Sequence, residues 1–144
     1  MQKLQDIEVR TETPPIHTSH HGNAIPILHE ILHAMQRLNN QGKPTVIDLR
    51  SIPFGPGDEE QLLKMLGRGE IEVKLDSLGV SDIWESRYHG VWVIEHKNTV
   101  DERIALQIEV THVPEILQSQ KMDISDSISR LIDQLDEGAD TTGL

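Results

Sequence analysis

Two histidines four residues apart, with a glutamate beside the first, make up the stretch HEILH from His29 to His33, and these are residue types that a zinc hydrolase uses. One helical turn would set His29 and His33 side by side, where both imidazoles could reach one Zn²⁺ and Glu30 could act as base on the bound water. The surrounding run HTSHHGNAIPILHEILHAM holds five of the eight histidines and adds His17, His20 and His21 as adventitious ligands. The chemistry also needs a third ligand. The extended metzincin spacing asks for glycine at position 36 and histidine at 39, where this chain has Gln36 and Asn39. A thermolysin-like site asks for a later helical glutamate, and Glu59 and Glu60 fall in the first turn of the next expected helix. Zinc hydrolysis therefore stands as an alternative, and the pattern favours two histidines at the rim of a packing helix.

Composition narrows the remaining classes. The chain has 144 residues, enough for one domain with its own core. It carries 13 Lys and Arg against 24 Asp and Glu, a formal charge of −11, which opposes binding to phosphate backbones. No cysteine is present, so disulfides, thiolate nucleophiles and cysteine-ligated metals are excluded. The opening stretch MQKLQDIEVRTETPP lacks an apolar signal segment, and no run approaches the roughly 18 apolar residues of a membrane span. The expectation is a cytoplasmic protein with no membrane partner and no cofactor. Aromatic residues are so few that the core must come from Ile, Leu and Val.

Hydrophobic periodicity then places the elements. Residues 1–23, with Pro14 and Pro15, read as a flexible arm. Ile25, Leu28, Leu32 and Met35, widened by Ile31 and Leu38, predict a helix over 24–38 capped by Asn23, with His29 and His33 on the rim of that stripe and Glu30 toward solvent. A largely buried strand is expected over 45–49, and a helix from Asp58 to Leu66 with Asp58 and Gln61 as capping box and Gly67 as C-terminal cap. Alternation in EIEVKLDSL and the runs 81–88, 91–96 and 103–112 predict four strands joined by short, antiparallel links. Ile124, Ile128, Leu131, Ile132 and Leu135 predict a last helix over 125–137, followed by a frayed tail, 138–144. The fold class is α+β: one two-layer domain over 24–137, with a mainly antiparallel sheet of four to five strands covered on one face by three helices.

Four ordered motifs are more specific than HEILH. They are Asp48, Leu49, Pro53, Gly55 and Pro56; Leu66, Gly67, Gly69, Glu70 and Ile71; Glu85, Ser86, Gly90, Val91 and Trp92; and Ile108, Glu109, Val110, Val113 and Pro114. Together they resemble the conserved C-terminal domain of the HupH/HyaF family of hydrogenase expression/formation proteins, over about residues 24–120. The resemblance implies a non-enzymatic accessory chaperone for [NiFe]-hydrogenase maturation. Its expected partners are the precursor of the iron–sulfur small subunit and a thioredoxin-like maturation protein. A general protein-interaction domain with an unrelated client is the other alternative.

Physical reading of the motif residues points to a binding surface. Gly67 and Gly69 flank Arg68 where a helix turns into a strand, so at least one should take positive φ. Glu70 and Glu85 are solvated strand carboxylates or pair with Arg68 or Arg87. Gly90 supplies a tight bend, after which Val91 and Trp92 point to opposite faces. With Val91 and Val93 toward the helices, Trp92 and Ile94 would form an exposed apolar patch with Trp84 and Tyr88, the kind of surface that takes a client or builds a homodimer. The expected partner-binding residues are Glu70, Trp84, Glu85, Tyr88, Gly90, Val91 and Trp92.

Overall fold

The computed structural model describes residues 22–142. Its elements are α1 (Ala24–Gln41), β1 (Thr45–Asp48), α2 (Asp58–Leu66), β2 (Glu72–Asp76), β3 (Val80–Glu85), β4 (Val91–Lys97), β5 (Arg103–Val110) and α3 (Lys121–Thr142), with 3₁₀ turns at Leu49–Ser51 and Glu115–Leu117. The five strands form one sheet in the order β1-β5-β4-β3-β2, and every neighbouring pair is antiparallel. This is the expected α+β class. The chain divides into two compact units, one ending at His112 and the other beginning at Val113. Most of the expected arm, with His17, His20 and His21, lies outside the described residues.

In the first unit, register decides which side chains meet. Trp84 and Ile108 both lie opposite Val93, and Ile47 lies opposite Ile108, so these four share one face of the sheet. They are buried with Ala24, Ile27, Ile31 and Ala34 of α1 and Leu62 and Leu66 of α2. That packing turns α1 away from the orientation predicted from its large residues. Ile25 and Leu32, expected in the core, are 48% and 47% exposed, while Ala34 is fully buried. Two alanines one face over allow the helix axis to come close, and close contact along a whole face outweighs a stripe of bulkier residues. His29 and His33 therefore sit on the solvent face rather than the rim.

Other local expectations also change. Asn23 holds the N-cap position without a side-chain cap; its amide donates instead to Pro53 O at 2.6 Å, tying the start of α1 to the loop before α2. Gly57, not Asp58, is the N-cap of α2, and the buried Asp58 reaches back to accept from Gly55 N–H at 2.8 Å. As an edge strand, β1 buries Ile47 but leaves Val46 57% exposed. The opposite sheet face is not an open patch, because Trp92 and Ile94 are only 4% and 1% exposed. In the second unit α3 begins at Lys121 and continues through Gly138 to Thr142, over most of the expected frayed tail. One helical glycine costs only about 1 kcal/mol relative to alanine, and no proline follows to stop the helix.

Candidate binding surface

In the first unit two of the motif groups, 66–71 and 85–92, meet the end of β5 at one end of the sheet. Gly67 ends α2 with φ +66°, and its N–H returns to Leu63 O at 2.9 Å. A Cβ at Gly67 would collide with the Arg87 side chain, whose guanidinium lies 3.4 Å from Lys64 O and 3.5 Å from Met65 O. A cation there compensates the negative end of the helix. Gly69 donates its N–H to Glu85 O at 2.7 Å, and a Cβ on it would lie 2.5 Å from Ser86 O. Close backbone approach, rather than dihedral freedom, demands glycine at 69.

The β3–β4 turn is tied from inside. Glu85, 7% exposed, accepts from Gly90 N–H at 3.0 Å, and its other oxygen is 3.6 Å from His89 Nδ1. Ser86 Oγ accepts from Tyr88 N–H and donates to Tyr88 O, each at 3.1 Å. Gly90 O accepts from Thr111 N–H at 2.9 Å, and Trp92 Nε1 donates to Thr111 O at 3.2 Å, so the turn is fastened to the end of β5. Arg68 stacks on the buried Trp84 ring, 3.9 Å from its centroid, and pairs with Glu72 rather than Glu70 or Glu85. At the other end of β5, Arg103 donates to both oxygens of Glu59 at 3.0 Å, and that hydrogen bonding raises its pKa.

The seven residues expected to bind a partner thus separate into two groups. Trp84, Glu85, Val91 and Trp92 are buried and build the joint, with Gly90 half-buried among them. Glu70 is exposed, and Tyr88 projects from the turn, 52% exposed. Around Tyr88 lie two depressions that share Met35. One, of about 350 Å³, is an apolar groove between Leu28, Leu32 and Met35 of α1 and Met65 and Leu66 of α2, with Tyr88 on its wall. The other, of about 520 Å³, is polar at its edge, where Gln36, Asn39, His89 and His112 surround Glu85 and Gly90. Leu28, Leu32 and Met65 were not expected in a binding surface. For Leu28 and Leu32 the signal was the competing stripe of Ala24, Ile27, Ile31 and Ala34, whose two alanines let that face of α1 pack inward.

The histidine pair gains no such setting. His29, Glu30 and His33 are all exposed on α1, and among the described residues no group of three or more His, Cys, Asp or Glu side chains is placed to hold a metal ion. Among the described residues the zinc alternative has only His29 and His33 as ligands. No helix of the described residues is long and apolar enough to cross a membrane.

Comparison with known proteins agrees with the motif reading. Residues 22–137 match the family described as HupH hydrogenase expression protein, C-terminal conserved region. The chain is 32% identical over 111 residues to the hydrogenase expression/formation protein HoxQ of Azotobacter vinelandii, covering 76% of this chain and 39% of that protein. It is 27% identical over 109 residues to the hydrogenase-1 operon protein HyaF of Escherichia coli, covering 76% of this chain and 38% of HyaF. The chain thus spans about two fifths of the length of these curated relatives. A solved structure of the hydrogenase expression protein HupH from Thiobacillus denitrificans superposes with a TM-score of 0.77 at 36% identity, over 81% of this chain and 97% of the other. The chain belongs to the HupH hydrogenase expression protein family, in its C-terminal conserved region.

Proposed function

We propose that this chain is an accessory factor in [NiFe]-hydrogenase maturation, acting in the cytoplasm by binding rather than by catalysis. Its client in this reading is the precursor of the iron–sulfur small subunit, handled together with a thioredoxin-like maturation protein. The observation that carries the reading is an apolar groove lined by Leu28, Leu32, Met65 and Tyr88 in a chain of the hydrogenase expression family. Such a groove suits an apolar client segment, and the exposed aromatic on its wall is the residue type that anchors protein interfaces. The hydrogen-bonded turn that carries Tyr88 holds its backbone in place, which lowers the ordering cost at binding.

Affinity capture tests this directly. A tagged chain, expressed in cells making hydrogenase, recovers the small-subunit precursor, and the double change Leu32→Asp with Tyr88→Ala reduces recovery about tenfold or more, since an interface anchor contributes roughly 2 kcal/mol. Both side chains are about half exposed, so folding is spared. Recovery of no hydrogenase component by the unaltered chain overturns the client. Undiminished recovery by the double variant overturns the groove.

A further inference from the structure

We propose that α3 is a self-association element, whose apolar stripe pairs with the same stripe on a second copy of this chain. Every side chain described along α3, from Lys121 to Ala139, is exposed. Yet six of them are large and apolar: Met122 is 75% exposed, and Ile124, Ile128, Leu131, Ile132 and Leu135, which make the stripe, are each between 50% and 65% exposed. At 100° per residue those five fall within an arc of about 100°, the width of a stripe meant for burial, with Met122 outside it. Ile124, Ile128, Leu131 and Leu135 advance by four, three and four residues, the alternation of a two-helix seam in which Ile128 and Leu135 take one inner position and Ile124 and Leu131 the other.

The charge pattern selects the occupant. Asp126, Asp133 and Glu137 lie opposite the stripe, Asp136 adjoins Ile132 and Asp123 lies beside Ile124, and none of the five takes a seam or flanking position. The flanks of the seam are Ser125, Ser127, Ile132 and Gln134, none of them charged. A basic partner helix would be recognised through charges at those flanking positions, and there are none to read. An anionic lipid surface attracts helices with a basic polar face, and this polar face is acidic. A second α3 meets neither obstacle, because the positions that meet across the seam and along its flanks carry no charge on either helix. The surface also offers a receptacle: a depression of about 230 Å³ between Ile124, Ile128 and Leu131, left open by the small Ser127 and edged by Ser119 and Asp123, is available to a side chain from the opposite helix. Two heptads make a short seam, so a reversible monomer–dimer equilibrium is expected rather than a permanent dimer.

Sedimentation of the full chain tests the proposal, because the mass of the unaltered protein should rise from 16.3 kDa toward twice that with concentration. Leu131→Asp, at a side chain already 57% exposed, should weaken association at least about tenfold. A chain without cysteine permits a second reading that does not depend on the helix tolerating an acid. Under mild oxidation the Leu131→Cys chain should form a disulfide-linked dimer much faster than the Asp133→Cys chain, whose thiol sits on the far face. A mass that stays monomeric at all concentrations overturns the proposal. So does dimerisation undiminished by Leu131→Asp, or cross-linking as fast from position 133 as from 131.

Discussion

The joint where β3 turns into β4 and the histidine face of α1 differ in what their residues touch. At the joint, Gly69, Glu85, Ser86, Gly90 and Trp92 carry no metal-binding pattern, yet each is hydrogen-bonded to a neighbouring element or within the turn. On α1, His29, Glu30 and His33 match a hydrolytic pattern in type and spacing, yet all face solvent. Spacing along one helix can align two ligands, but a site needs groups that converge from several elements, and only tertiary packing supplies those. The joint has that convergence, and uses it to hold a turn rather than to run a reaction.

Three variants sharpen this contrast. Trp92→Ala should have the largest effect, destabilising the fold by about 3–5 kcal/mol in chemical denaturation, because it opens a cavity in a fully packed region. Trp92 also donates to Thr111 O. A loss below about 1 kcal/mol would return Trp92 to the class of surface residues. Gly69→Ala should come next, at about 1–3 kcal/mol, since the new Cβ would press on the Ser86 carbonyl and force the turn away from α2. A thermal melt of this variant unchanged from the parent would show that the close approach is not needed. Changing His29 and His33 together to alanine should shift stability by less than about 0.5 kcal/mol and leave the metal content of the untagged protein unchanged. Loss of one equivalent of zinc on that change would reverse the comparison and make α1 the functional face.

Much of the local structure is legible in the chain because it depends on near neighbours. Alternation marks β2, with Val73 and Leu75 half-buried between exposed Glu72, Lys74 and Asp76, and the 3.6-residue period marks all three helices. Gly67 announces the end of α2, since few other residues take its φ of +66°. Boundaries were less legible where the signal was weak: the tail from residue 138 was expected to fray, but the helix continues across Gly138 to Thr142. The capping role assigned to Asp58 passed to Gly57, because the carboxylate finds its partner in the preceding loop rather than in its own helix.

By itself, the sequence determined the class of fold, the order of its elements and, through four motifs, the family. Tertiary structure alone decided which way each element faces. α1 carries two overlapping apolar stripes, and only the sheet beneath it selects the one with Ala24 and Ala34, leaving Leu32 to line a groove. β4 reads VWVI, apolar on both sides, and nothing local says whether Trp92 meets solvent; in the structure it is buried. Periodicity reports that a face is apolar, whereas burial depends on what the rest of the chain brings against it, and that is a property of long-range packing.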